Sequence, residues 1–491
     1  MKNKNIISKD HLSTKIIYLL PFILLVPTQA AKATWWPLPN SGPNIFMFLA
    51  SIVLLMLYLY EYLKDNRLIK LNLTQKLFFL WFVHTFISIA LVILGFRGSL
   101  DSIGSRIYTA IPPYFLAFMV FLVIEKNKWK LCNFEKLAKA LLIVCAVWSL
   151  ESILTFYLNI QIPGLVSIAR GDSWFSSGFT LSLHTISKAS LIIFWLSMYM
   201  FFRHEKPYYI LFIIGSFLTV IASVNRASIA MLIFSVIVFL YFNYIRYPER
   251  VSEEKNSFSF NNLLKSLLGL MAAISIILGG VFVNTFKGSL LADSHGFIER
   301  TFQYVRASEV IINYPLGAGA GLGYQLCYSE DVPQIYSDEL RNIEPFFTFS
   351  QIYLSGILGA NLQQKSVGEE PIYSIHNFSL NIIMDYGVFG FAILVAYVIW
   401  LFKYLKFVKL LYYSGYHKLV KTFACLVLAQ MSVFIAMQAT YKFFAWMWLL
   451  VYLFLFARQI VRGSIKEQKD QVDSNNGVHI PLSEINILGK I

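Results

Sequence analysis

Residues 376–401 read HNFSLNIIMDYGVFGFAILVAYVIWL. A polar pair, His376-Asn377, opens a run that is too long and too continuously apolar to be a strand, so a membrane-crossing helix is expected here. Barrel strands would be shorter and would alternate polar with apolar residues. The same signature recurs along the chain, which has 491 residues, 57% of them hydrophobic and 14% charged, with a mean hydropathy of +0.61. Spans are expected near 14–31, 44–62, 74–95, 107–124, 137–158, 187–203, 207–224, 227–244, 263–284, 377–401, 419–438 and 441–457. The expected fold class is an all-α polytopic membrane protein with about twelve transmembrane helices of roughly 17–25 residues each.

The charge pattern gives these helices a direction. The net charge is +14, which would suit nucleic acid if the cations clustered on a soluble face. Instead they fall in alternate connections: Lys2 to Lys15, Lys64 to Lys76, Lys126 to Lys139, Arg203 and Lys206, Arg246 to Lys265, Lys403 to Lys421, and Arg458 to Lys490. That is the positive-inside bias, with both termini cytoplasmic, and it excludes a nucleic-acid partner as the reason for the charge. The first span ends in Gln29-Ala30-Ala31-Lys32-Ala33, which looks like a signal-peptide cleavage site. Retention is expected, because it keeps the charge pattern consistent. Of the four cysteines (Cys132, Cys145, Cys327, Cys425) only Cys327 falls in an expected outer loop, so no structural disulfide is expected. No Cys/His cluster has metal spacing, and neither a metal nor a cofactor is expected.

Residues 1–462 are read as one integral membrane domain with two long outer loops, 159–186 and 285–376. Residues 463–491 form a polar cytoplasmic tail, expected to be disordered. The second loop is large enough to carry function. It should contain an amphipathic helix from Phe297 to Asn313 stopped near Pro315, a glycine-rich stretch, an acidic part, and an apolar stretch, Phe346–Ala360, lying on the membrane surface. Acids outnumber bases in this loop two to one, so each of Lys287, Arg300, Arg306, Arg341 and Lys365 stands out as a candidate for anion binding.

Chemistry has few places to reside. Arg226 lies in the short turn SVNRAS between two spans. An arginine at membrane depth is costly and marks a cavity or a partner, and its planar fork suits phosphate oxygens. The plainer reading is an arginine snorkelling to headgroups. Arg300 and Arg306 are six residues apart, roughly 120° around a helix, so both cannot face one small target. Arg306 has Glu309 at i+3 as a ready partner. Arg300 has Tyr304 one turn on and no acid at i±3 or i±4, which makes it the better ligand-facing candidate. Arg170, in ARGDSWFSSGF, is a further candidate. Pro315 to Gly323 (PLGAGAGLG) fails as a phosphate loop, with no preceding strand and no Lys-Ser/Thr after it. It is expected to allow close backbone approach. His376 can titrate near neutral pH at a membrane mouth, or simply accompany Asn377 as a helix cap. Gly387 and Gly390 suit close helix packing. Glu151 and Asp385 are carboxylates within spans and need partners or a cavity; Asp385 shares a helix face with Asn377 and can orient a site or pair with an arginine.

His376, Asn377, nine further residues and Gly387-Val388-Phe389-Gly390 match, without a gap, a motif of the O-antigen ligase / O-antigen polymerase superfamily, which this sequence resembles. Ser223-Val-Asn-Arg226 is similar to the family's serine–arginine turn, with Val-Asn inserted. Arg300, Tyr304 and Pro315-Leu-Gly-Ala-Gly319 are similar to its arginine, aromatic and glycine stretch, with Tyr where Trp is more usual. The motifs span Ser223 to Gly390, and the expected topology, with a large periplasmic loop between the ninth and tenth helices, covers the whole chain. The resemblance implies a GT-C-like fold in the bacterial inner membrane and a metal-independent, inverting glycosyl transfer on its periplasmic face. The donor would be a glycan on undecaprenyl diphosphate. His376 would be the general base, Arg226 and Arg300 would hold the diphosphate, and Arg306, Tyr304, Asn377, Asp385 and Arg170 would contact substrate. The acceptor would be the next lipid-linked repeat unit for a polymerase, or lipid A–core for a ligase. The aromatic-rich, Lys/Asn-rich composition favours the polymerase. A chain-length regulator is a further expected partner.

A flippase or transporter is the competing class. Carriers with a long central loop place it inside, between the sixth and seventh spans, where this chain has only a few residues. They also favour midplane charges and broken helices, whereas the candidate cations here gather at the expected outer boundary.

Overall fold

The computed structural model describes residues 11–25, 42–65, 73–94, 100–158, 160, 167–170, 173–176, 183–223, 226–246, 269, 294–319, 323–326, 377–413, 416–439 and 447–474. In chain order the elements are α1 (Leu12–Leu25), α2 (Gly42–Asp65), α3 (Leu73–Ile93), α4 (Leu100–Lys126), α5 (Leu131–Leu158), β1 (Ser167–Arg170) and β2 (Ser173–Ser176). They continue with α6 (Leu183–His204), α7 (Tyr208–Ala222), α8 (Arg226–Leu240), α9 (Ser294–Asn313), the single turn α10 (Gly323–Leu326), α11 (Phe378–Tyr386), α12 (Val388–Tyr413), α13 (His417–Ala439) and α14 (Met447–Ser474). The architecture is a helical bundle, and among the described residues four helices are long and apolar enough to cross a membrane: Phe46–Lys64, Leu131–Leu154, Val388–Tyr413 and Met447–Lys466. The expected span at 263–284 apart from residue 269, the stretch 346–360, Cys327 and the segment after the first helix lie outside the described residues.

The bundle is built around α6. Its residues 187–202 are buried on every side, as suits a helix with neighbours all round, and it packs against α5, α7, α8 and α13. Trp195 is fully buried and its indole N–H donates to Ser235 Oγ of α8 at 3.2 Å. At the far end of α6, the Tyr199 hydroxyl donates to Glu135 Oε1 of α5, and Arg203 and His204 lie 3.4 and 3.3 Å from the same carboxylate. Phe134 stacks on Phe456 of α14 with ring centroids 5.2 Å apart, and the Tyr452 hydroxyl donates to the Phe134 carbonyl. Arg458 of α14 bonds Glu125 of α4 at 2.9 Å.

α1 belongs to this bundle. Glu61 of α2 accepts from both the backbone N–H and the hydroxyl of Ser13, at 3.0 and 2.7 Å. The Asn127 amide donates to Ser13 Oγ and Thr14 Oγ1, and the Trp129 indole donates to Thr14 Oγ1. Ile17 and Leu20 are fully buried.

Three expectations change. The span expected at 377–401 is two helices, α11 and α12, broken at Gly387. The tail expected to be disordered from 463 stays helical to Ser474. Ser464 is buried and bonds the Ile460 carbonyl, Ile465 packs on the core, and the Lys-, Glu- and Gln-rich residues beyond are good helix formers. The all-α class acquires a two-stranded antiparallel hairpin, with Ser167 opposite Ser176 and Arg170 opposite Ser173. The Gly171-Asp172 pair between the strands is the sequence signal for it.

Candidate functional site

The glycine stretch and the Gly-x-x-Gly motif, far apart in sequence, form one unit. A helix ending at Tyr386 leaves its last carbonyls without intrahelical partners. Here the loop after α9 supplies them: Ala318 N–H donates to the Met384 carbonyl at 2.8 Å, and Gly319 N–H to the Asp385 carbonyl at 3.0 Å. In the other direction Val388 N–H, the first of α12, donates to the Pro315 carbonyl at 2.9 Å. The break in the membrane-directed run is therefore offset by hydrogen bonds from residues 315–319.

This contact is backbone on backbone, and glycine is required for it. Gly387 has φ 58°, and a Cβ there would lie 2.1 Å from the Pro315 carbonyl oxygen and 2.4 Å from Gly317 N. Gly317 has φ 92°, and its Cβ would lie 2.4 Å from the Asp385 carbonyl oxygen. A Cβ on Gly390 would lie 2.4 Å from the Ile382 carbonyl oxygen, so the start of α12 approaches α11 closely. The two glycines of the motif thus serve different neighbours. The loop performs the close backbone approach expected of it.

α9 docks on this elbow through Ala307 and Val310, which meet Met384, with Leu380, Ile311, Tyr314 and Leu326 around them. The helix has a buried stripe of Gln303, Arg306, Ala307 and Val310 and an exposed one that includes Tyr304, Ser308 and Ile312. Position 300 lies one helical turn before Tyr304.

The expected site residues divide accordingly. Arg306 is buried, 1% exposed, and its Nη1 donates to Glu309 Oε2. Its charge is met inside the α9–α11 packing, so the guanidinium expected to contact substrate has Glu309 as a partner. Asp385 is also buried, and its Oδ1 accepts the Gly323 N–H at 3.0 Å. That bond holds α10 against α11, where Gly323 is tight enough that a Cβ would lie 2.4 Å from Met384 Cβ. Asn377 caps α11, its side chain accepting the Leu380 N–H at 3.2 Å with its own backbone extended. Tyr304 is exposed to 38%. Arg226 is the first residue of α8, Arg300 lies in the second turn of α9, and Arg170 ends β1, in the hairpin that leans on α5. The side chains of these three arginines and of Glu151, and the whole of His376, lie outside the described residues.

One neighbour of the elbow carried no spacing signal. His84 of α3 lies ring to ring with Tyr386 at 5.6 Å and with Phe389 at 5.0 Å, flanking Gly387 on both sides. Tyr114 of α4 approaches Tyr386 from another direction, edge-on at 6.3 Å. A lone histidine within an apolar helix gives no hint in sequence of a partner 300 residues away.

No protein-family model matches the chain, and neither a curated protein nor a solved structure is similar to it.

Proposed function

We propose that this protein is a glycosyltransferase of surface-polysaccharide assembly, working as a polymerase on undecaprenyl-diphosphate-linked glycans. In this reading the chain crosses the bacterial inner membrane about twelve times, with both termini cytoplasmic, and its site faces the periplasm. One observation carries the proposal: the two motif-bearing segments that resemble the O-antigen family are built into a single unit. The loop at Pro315–Gly319 closes the elbow at Gly387, and this brings α9, with Arg300, against α11, whose capped end follows directly on His376.

The reaction would proceed without a metal. The acceptor hydroxyl oxygen attacks the anomeric carbon while His376 takes the hydroxyl proton. The bond from that carbon to the diphosphate oxygen breaks, and the electron pair leaves with the diphosphate. Attack opposite the leaving group inverts the anomeric centre. Arg226 and Arg300 hold the diphosphate as its charge develops, the role that fixed cations fill best in a water-poor site. A base with a pKa near the working pH suits His376. Tyr304 lines the donor side.

Reconstitution with a lipid-linked repeat unit tests this reading. His376→Ala should lower polymer formation by about 10²–10⁴-fold, the usual worth of a positioned base, while the protein still reaches the membrane. Full activity in that variant would remove the base. If the purified protein moved lipid across vesicles yet made no longer glycan, it would be a flippase. A gel of surface glycan from a deletion strain separates the acceptors. Polymer of normal length that is no longer attached to lipid A–core would make the protein a ligase.

A further inference from the structure

Where α13 packs on α12, one polar residue interrupts an apolar contact. Gln430 is fully buried, and neither its amide nitrogen nor its amide oxygen has a hydrogen-bond partner among the described residues. The Tyr397 and Tyr404 hydroxyls of α12 and Nη1 of Arg458 in α14 are buried in the same condition. A polar atom taken out of water is destabilising unless another bond replaces the ones it lost. Folded proteins leave few such atoms, so several together call for a common explanation.

Ring contacts place all four in one seam. Tyr397 stacks on Phe434 at 4.7 Å, and Tyr404 meets Phe423 edge-on at 4.9 Å. On α13, Gln430 lies one turn before Phe434 and two turns after Phe423, on the same face. It therefore faces α12 between the two tyrosines. Trp400, one turn before Tyr404, meets Phe454, one turn before Arg458, at 4.6 Å. Arg458 is near enough to act electrostatically on Tyr404. The order along the seam is Tyr397, Gln430, Tyr404, Arg458, and its far end is tied to Glu125, 2.9 Å from Arg458 Nη2 and partly exposed.

The chain does not close this row by itself. Phe423 and Phe434 are about 16 Å apart along α13, so the tyrosine rings stand on opposite sides of Gln430 and do not converge on it. One amide cannot bridge both. Arg458 Nη1 only donates, whereas the amide and the hydroxyls both donate and accept. A bridging molecule must therefore do both and be small enough for a packed interface. Acyl and isoprenoid tails offer neither donor nor acceptor. Water offers both, and at such sites makes about three hydrogen bonds. We propose that the seam between α12, α13 and α14 binds a row of water molecules that bridges Tyr397, Gln430, Tyr404 and Arg458 and reaches into the bundle from the Glu125 end. The row is independent of the glycosyl-transfer reading above.

Radiolytic hydroxyl-radical labelling of the full chain in phosphatidylcholine nanodiscs tests this, because a bound water becomes the radical source beside the side chain it touches. Tyr404 is 1% exposed and should still label several-fold faster than Tyr452, which is equally buried but donates to the Phe134 carbonyl. Gln430→Leu, close in volume, should lower labelling at Tyr404 and Tyr397 several-fold and leave Tyr452 unchanged. Wild-type Tyr404 labelling no faster than Tyr452 overturns the row, and that comparison requires no variant to fold. Unchanged labelling in a folded Gln430→Leu overturns it too, since the amide then joins nothing. So does labelling of Tyr404 that keeps pace with hydrogen exchange of the α13 backbone amides, because helix opening would then be what admits the water.

Discussion

Around α6 the chain packs side chain against side chain, whereas at the α11–α12 elbow it packs backbone against backbone. In the bundle the contacts are rings and branched chains such as Trp195, Tyr199 and Phe456, and each helix satisfies its own backbone. In the elbow the hydrogen bonds of two helix ends are completed by a loop about seventy residues earlier in the chain, and the contact surface is largely glycine and carbonyl. The first kind of contact adapts, because a neighbouring rotamer can fill a small gap. The second cannot, because a methyl group has nowhere to go.

The sharpest way to break this contrast is Gly387→Ala. It combines a positive φ with a Cβ 2.1 Å from a carbonyl oxygen, so a loss of about 4 kcal/mol or more is expected, at the exceptional end for one substitution. A thermal melt in detergent should show it, and an unchanged midpoint would mean that the loop does not sit on the elbow. Next comes the charge under α9. Arg306→Met should cost about 3–5 kcal/mol by leaving Glu309 buried and alone, and adding Glu309→Leu should restore most of that. If the single and double variants melt together, the pair is not buried in solution. Asn377→Ala removes a cap and should cost about 1 kcal/mol, with Asn377→Ser largely neutral. The smallest effect belongs to the bundle: Phe134→Leu loses the stack on Phe456 and should cost about 0.5–1 kcal/mol. A larger loss there than at Asn377 would erase the distinction between the adaptable and the exacting region.

What could be read from sequence follows the same division. Apolar run length marked the helices, because each run is a local statement about one element. The i+3 spacing of Arg306 and Glu309 identified that pair, and Asn377 looked like a cap and is one. The break at Gly387 could not be seen, because the run is apolar on both sides of it and the groups that make a break affordable lie at 315–319. The glycine stretch announced close approach without naming its partner. Asp385 reads in sequence as a carboxylate in need of a partner; that the partner includes the Gly323 N–H is visible only once α10 and α11 meet. The hairpin at 167–176 had its Gly-Asp signal in plain view, outweighed by the helical character of everything around it.

The tie between Ser13 and Glu61 has a consequence for the order of synthesis. A leader peptide can be cut away because nothing made later depends on it. Here α1 is half of several contracts completed later, with Glu61 and then with Asn127 and Trp129. Until residue 129 has been made, Ser13 and Thr14 cannot have their final partners. Once it has, removing the first helix would strand a carboxylate, an amide and an indole at once. The segment that resembles a disposable address has, by its bonds, no full set of final partners until α4 and the turn after it have been made.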